Sequence, residues 1–252
     1  DINAKVIALI CDGPANHIAM ARILGAKLSD TCIDSYISLG QFLVWILDMS
    51  HMHKLVRNTW GDYETFKIGD KLIKWEFVRR LWELQTTRVL HLRNKLTKNH
   101  IEYMGNKMKT KYASQLFSAS VADSIDFVRD VLHIPGFEGS EETTKFIRVM
   151  NDLFDIQNSS NFKHFGYKKP ITEQNCEAVI ERMHECSNYL SELTDKNGLR
   201  LVKSKRKTGF LGLIMNCQSF ILIINRFVKT GILKFLLTRK FSQDFLEHFF
   251  GR

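Results

Sequence analysis

The chain has 252 residues, 44% hydrophobic and 25% charged, with a formal net charge of +9 and a pI of about 9.3. That length and apolar content exclude a disordered polymer and allow one large or two smaller cores, while the positive balance favours a polyanionic partner such as nucleic acid, nucleotide or an anionic membrane surface. Five cysteines (Cys11, Cys32, Cys176, Cys186 and Cys217), with no CxxC pair, argue against a disulfide scaffold or a cysteine-based zinc site and fit a reduced, intracellular protein.

The chain opens without Met just ahead of an apolar strand and shows no signal-peptide succession, as expected of a piece cut from a longer protein. Val6 to Ile10 is β-branched and apolar, Asp12-Gly13-Pro14 is a turn signal, and Ala15 to Leu24 is helix-compatible. Strand, turn and helix in that order put Asp12 at the carboxyl edge of a sheet, where α/β proteins bind ligands or metal; the alternative use of such an Asp is to shape the turn. Phe42 to Leu47 is a second buried strand, ending at Asp48-Met49-Ser50-His51. Lys54, Arg57 and Asn58 follow on a helix, and His51 and His53 lack partners at zinc-site spacing.

From about Ile73 the alternation stops and helical spacing takes over, first in Trp75, Val78, Leu81, Trp82 and Leu84. Ile101, Met104 and Met108, then Leu116, Val121 and Ile125, continue as apolar stripes expected to face a core. Lys107, Lys109 and Lys111 form a basic run, with Gln115, Ser118 and Ser120 leaving room for a polar pocket. After the HIPGFEG loop a helix is expected from Ser140 or Glu141 to Asp155. Asp155 to Asn161 then offers a carboxylate, amides and hydroxyls, used either as helix-end and turn residues or to hold a base edge, a ribose or a hydrated metal.

Glu173 to Leu193 is one more amphipathic helix, and Lys203 to Lys207 is the densest positive run. No GxxxxGK[ST] loop and no GxGxxG turn occurs, which excludes those two nucleotide folds. Gly209 to Phe227 is apolar enough to resemble a membrane span, but Asn216, Gln218 and Asn225 interrupt it, so a buried core helix is expected. At the end, Asp244 and Glu247 lie three apart on a helix that Phe245, Leu246, Phe249 and Phe250 can pin to a core.

The blocks ALICDGPANH, LDMSHMHKLVRNTWG, NKLTKNHIEYMGNKMKTKYASQLFSASVAD, GSEETTKFIRVMNDLFDIQNSSN, SKRKTGFLGLIMN and TRKFSQDFLEHFF, in this order and across essentially the whole chain, resemble the P-element transposases and the related THAP-domain-containing transposase-like proteins. The resemblance implies an α/β plus α architecture: an RNase H-like catalytic core, truncated at its N-terminus, interrupted by a mostly helical GTP-binding insertion. Residues 1–70 would open the catalytic domain, 71–200 would be the insertion, and 201–252 would return to the catalytic domain. The activity implied is that of a DNA transposase in the nucleus, acting on transposon ends and target DNA, as a homo-oligomer in the full-length protein. The alternative is a domesticated, catalytically silent DNA-binding or guanine-nucleotide-binding derivative.

By the same likeness Asp12 and Glu247 are the catalytic, Mg2+-binding carboxylates, in a chemistry where metal ions activate water or a 3′-hydroxyl and stabilise the leaving oxygen. Asp48 competes with Asp12, which is preferred because DGxxN resembles the acidic turn of related transposases. The first acid of the triad, expected on an earlier strand, has no counterpart here, so this chain alone is expected not to cut DNA. Contacts to GTP map to Lys95, Lys109, Ser118, Asp155 and Asn158, with Asp244 joining from the final helix. A carboxylate suits guanine because the base offers N1–H and N2–H donors. Asn94-Lys95-Leu96-Thr97 departs from the NKxD signature of ordinary GTPases by carrying Thr in the place of Asp.

Overall fold

A computed structural model describes residues 5–13, 15–28, 33–34, 42–88, 92–244 and 249–250. In chain order they form β1 (Ala8–Cys11), α1 (Ala15–Ile23), β2 (Lys27–Leu28), β3 (Ile33–Asp34), β4 (Val44–Leu47), α2 (Met49–Tyr63), β5 (Thr65–Ile68), β6 (Lys71–Lys74) and α3 (Trp75–Thr87). There follow α4 (Lys98–Ile101), α5 (Thr110–Leu116), α6 (Ala119–Asp130), α7 (Glu141–Gln157), α8 (Cys176–Glu192) and α9 (Thr208–Ile223), the last continued by a π-helical turn over Ile224–Val228. The architecture is mostly helical with small sheets. It divides into two compact units, one of residues 1–52, 155–191 and 208–252, the other of residues 53–154 and 192–207.

In the first unit β1 and β4 pair in parallel, Ala8 with Val44 through Cys11 with Leu47, joined by a connection that contains α1. Parallel pairing needs such a crossover, and β4 is accordingly apolar throughout, Val44 to Leu47 being at most 1% exposed. Successive residues of a strand turn their backbone groups to opposite sides. Val44 N and Asp48 N therefore bond across to Ile7 and Cys11, while Leu47 and Trp45 face away from β1.

That second edge is closed by side chains of α9. Asn216 accepts from Leu47 N at 2.8 Å through Oδ1 and donates from Nδ2 to Leu47 O at 2.7 Å and to Gln157 Oε1 at 3.0 Å. Ser219 donates to Trp45 O at 2.5 Å. Polar interruptions in an apolar helix thus stand in for a third strand, because an open backbone edge in a dry core is costly. Thr208–Val228 is the one stretch among the described residues long and apolar enough to cross a membrane, and Asn216, Ser219 and most of its apolar residues are buried in this unit's core, as expected. Gly212 is required there, since a Cβ would lie 2.3 Å from Met52 Sδ and 2.9 Å from a Leu47 methyl.

The second unit is built on an aromatic core. Trp60 meets Trp75 at 5.0 Å and Phe146 at 5.2 Å, both edge-on, and stacks on Phe117 at 5.9 Å. Two expectations change here. Helix begins at Trp75 and not at about Ile73, because residues 65–74 form an antiparallel hairpin; Thr65-Phe66-Lys67-Ile68 and Lys71-Leu72-Ile73-Lys74 flank the two-residue turn Gly69-Asp70, with Gly69 at φ +55°. The stripe Ile101, Met104, Met108 is not a core face either. Residues 98–109 break into the short α4, a 3-10 turn over Tyr103–Asn106 and a bend, leaving Met104 63% and Met108 76% exposed.

Candidate functional site

The carboxyl edge of the β1–β4 pair carries two acids side by side. Asp12 follows β1 and Asp48 follows β4, and Asp48 N donates to Cys11 O at 2.8 Å. Gly13 turns the chain away at φ +75°, and its missing Cβ leaves space for the Leu47 and Met52 side chains. The two carboxylates differ in use. Asp48, buried, accepts from His51 N at 2.8 Å through Oδ1, the N-cap of α2, and from Gln243 N at 3.1 Å through Oδ2. Asp12 is 48% exposed, with His51 Nδ1 at 3.9 Å, and accepts no hydrogen bond among the described residues.

Asp244 is next to Gln243 in sequence, half-buried, with Arg239 at 3.4 Å. Glu247 lies outside the described residues. Among the described residues no group of three or more His, Cys, Asp or Glu side chains is arranged to hold a metal ion.

The residues expected to contact nucleotide divide between the units. Asp155, Asn158 and Asp244 belong to the first; Asp155 sits in the last turn of α7 with Lys168 Nζ at 3.5 Å, and Asn158 follows the helix half-buried. Lys95, Lys109 and Ser118 belong to the second. Lys95 is exposed beside Asn94, whose amide donates to Gln85 and Ser124 at 2.9 Å. Lys109 precedes α5 with its ammonium 5.7 Å from the Tyr112 ring, and Ser118 precedes α6, donating to Gln115 O at 2.9 Å with Ser120 Oγ at 3.0 Å. In the tract after Asp155, Gln157 and Ser159 turn inward: Gln157 meets Asn216, and Ser159 donates to Lys168 O at 2.9 Å.

The segment ahead of Lys109 is held by a buried cation on α2. Arg57 is fully buried on α2, sharing a face with His53 and Trp60 at i, i+4 and i+7 spacing. Its Nη2 donates to Asn106 O at 3.1 Å and Lys107 O at 3.3 Å, its Nε to Asn58 Oδ1 at 2.8 Å, and its guanidinium lies 5.7 Å from the Tyr103 ring. Asn58 adds a bond to Lys107 O at 3.2 Å. Burial lowers the Arg57 pKa to about 10, which leaves it charged at neutral pH. Asp62 gathers the other cations, accepting from Tyr103 Oη at 2.6 Å and Arg206 Nη2 at 2.5 Å, with Lys107 Nζ at 3.6 Å. Burial and the neighbouring Asp62 carboxylate hold the Tyr103 phenol well above its usual range. The signal for Arg57 was its heptad-like spacing from two large core residues.

Burial disfavours the charged form of both buried histidines here. His53 donates from Nε2 to Met150 O at 3.0 Å, and burial pushes its pKa down to about 4. His100 accepts the Thr97 backbone N–H on Nδ1 and bonds Gln115 Oε1 at 3.2 Å through Nε2; burial lowers its pKa as well.

The central segment defines the class. Residues 50–170 match the family described as TNP-like, GTP-binding insertion domain. Human DNA transposase THAP9 is 28% identical over 255 residues, spanning 99% of this chain and 28% of that protein. The Drosophila melanogaster transposable element P transposase is 31% identical over 253 residues, spanning 98% of this chain and 32% of that protein. In the solved Drosophila P element transposase strand transfer complex, one chain superposes with a TM-score of 0.79 at 27% identity over 99% of this chain and 55% of its own length. The chain belongs to the P-element transposase and THAP9-like family, and it spans about 28% and 32% of the curated relatives it matches.

Proposed function

We propose that the chain is part of a GTP-dependent, P-element-like DNA transposase that acts in the nucleus on transposon-end and target DNA, as a homo-oligomer in its full-length form. The observation that carries this reading is the superposition on a P element transposase over 99% of the chain. In this reading residues 1–70 and 201–252 are the parts of an RNase H-like catalytic domain, and 71–200 the inserted GTP-binding domain.

Asp12 and Glu247 are the carboxylates that hold Mg2+ in this reading. The donor chemistry at the edge is compatible: Asp12 offers an acceptor-only carboxylate, half-exposed and without a hydrogen-bond donor among the described residues, and hard cations prefer oxygen ligands. Magnesium, when bound, supplies Lewis-acid stabilisation of the leaving oxygen and activates the attacking hydroxyl. Asp48, with one oxygen capping α2 and the other holding Gln243 N, is a positioning residue that fixes the segment leading to Asp244. That division of labour supports Asp12 over Asp48 as the metal ligand.

GTP is held by Lys95, Lys109 and Ser118, which supply charge and a hydroxyl for phosphates, and by Asp155, Asn158 and Asp244, which supply acceptors and an amide for the guanine edge. The residue assignment is tested by titrating GTP against wild type and Asp155→Ala. Loss of a charged hydrogen bond is expected to weaken GTP by about 10- to 150-fold; unchanged affinity would remove Asp155 from the site.

A further inference from the structure

Two loops of the first unit carry aromatic and basic side chains beyond those assigned to GTP or metal above. Residues 158–171 and 226–241 contain eight Lys or Arg (Lys163, Lys168, Lys169, Arg226, Lys229, Lys234, Arg239 and Lys240) and no Asp or Glu. Among them stand Phe162 at 60%, Phe165 at 84%, Phe235 at 43% and Ile232 at 64% exposure. Exposed apolar side chains gathered in one place, unlike ones scattered singly, mark a binding surface.

The loops are fixed to each other. Ile171 and Leu236 exchange backbone hydrogen bonds at 3.0 and 2.7 Å, Ser159 N donates to Thr238 Oγ1 at 3.0 Å, Arg239 N donates to Ser159 O at 3.1 Å, and Thr238 donates to Ile156 O at 2.5 Å. Phe162 and Phe235 meet edge-on across the junction at 4.7 Å. Some of the cations are neutralised locally, Lys168 by Asp155, Lys229 by Glu177 and Arg239 by Asp244. Lys163, Lys169 and Lys234 are exposed and form no ion pair among the described residues.

We propose that this surface binds single-stranded DNA, with Phe165 and the Phe162–Phe235 pair stacking on unpaired bases and Lys163, Lys169 and Lys234 contacting the phosphates between them. The proposal rests on the transposase reading for its choice of DNA. Lysines interleave with the rings, as in Phe162-Lys163-His164-Phe165 and Lys234-Phe235. That spacing matches alternating base and phosphate better than the continuous apolar face a bilayer requires. Unpaired bases are specified because a duplex covers both faces of each base, leaving nothing for an exposed ring to stack on.

The test is fluorescence anisotropy of the 252-residue chain with a labelled oligodeoxythymidylate of about 20 nucleotides and a duplex of equal length, enough to span one stacking groove. The single strand is expected to bind more tightly. Phe165→Ala should weaken it by about 5- to 150-fold, one base stack, with the salt slope unchanged, and Phe165→Trp should retain it. The combined Lys163→Gln, Lys169→Gln and Lys234→Gln variant should flatten the slope of log affinity against log salt by about 2. Equal binding by wild type and Phe165→Ala, preference for duplex, or binding to phosphatidylcholine–phosphatidylserine vesicles in place of DNA would overturn the proposal. A GTP titration of the same preparations separates the two readings. A chain that holds GTP but prefers no single strand refutes this surface alone; one that holds neither refutes the transposase reading too.

Discussion

Replacing Asn216 by Leu tests whether α9 acts as the missing neighbour of β4. The substitution removes the donor to Leu47 O, the acceptor for Leu47 N and the donor to Gln157 Oε1. Gln157 keeps its Nε2 donation to Cys217 Sγ at 3.5 Å, but its buried Oε1 loses its donor, so the penalty falls on the Leu47 amide and carbonyl and on Gln157 Oε1. Each buried backbone group left unpaired costs about 1–3 kcal/mol. The added apolar side chain returns about 1–2 kcal/mol by burial. With three such groups a net loss of roughly 2–7 kcal/mol is therefore expected, a large fraction of the stability of an ordinary domain. Urea unfolding followed by far-ultraviolet circular dichroism measures it, with Ser219→Ala as the milder companion at about 1 kcal/mol, through loss of the donor to the Trp45 carbonyl. An Asn216→Leu protein with the wild-type midpoint and slope would show that β4's free edge does not depend on this side chain.

Asp48→Ala is expected to lower stability by about 1–3 kcal/mol through loss of the α2 cap and of the Gln243 anchor. Asp12→Ala, at a half-exposed position, should stay within about 0.5 kcal/mol; the reverse order in thermal melts would undo the assignment of a structural and a chemical acid. Gly61→Ala would place a Cβ 2.3 Å from the Tyr103 ring. The overpacking should cost about 1–3 kcal/mol, shrinking in a Tyr103→Leu background, where equal costs would contradict the contact. The folded His53 pKa of about 4 lies below the unfolded 6.5, so its contribution is whole at neutral pH. As pH falls from 6.5 towards 4 the unfolded chain takes the proton and the folded one does not, removing up to about 3 kcal/mol. His53→Gln should flatten the fall in stability over that window; an unchanged profile would assign it to other groups.

The strands β1 and β4 and the Asp12 turn were legible because apolar runs ending in Asp-Gly or Asp carry their own boundaries. The hairpin β5–β6 was less clearly marked: Thr65-Phe66-Lys67-Ile68 alternates, but Leu72-Ile73 is a consecutive apolar pair, and the helical pattern starting at Trp75 obscured the change of period. Asn216 could be read only as a polar residue that argued against a membrane span; its partners Leu47 and Gln157 lie 169 and 59 positions away. The tract 155–161 shows the same limit, since composition does not say that Gln157 and Ser159 face the core while Asp155 takes Lys168. The sequence placed Arg57 on a helix without giving its burial, because its partners, the loop carbonyls of Asn106 and Lys107, lie 49 and 50 positions away.

Guanine selectivity of the chain itself tests the central claim most directly. Isothermal titration of the wild-type chain with GTP and with ATP should give saturable GTP binding and an ATP affinity weaker by about tenfold or more, the cost of presenting adenine's donor pattern to guanine-directed acceptors. Equal affinity for the two nucleotides, or no binding of GTP, would contradict it.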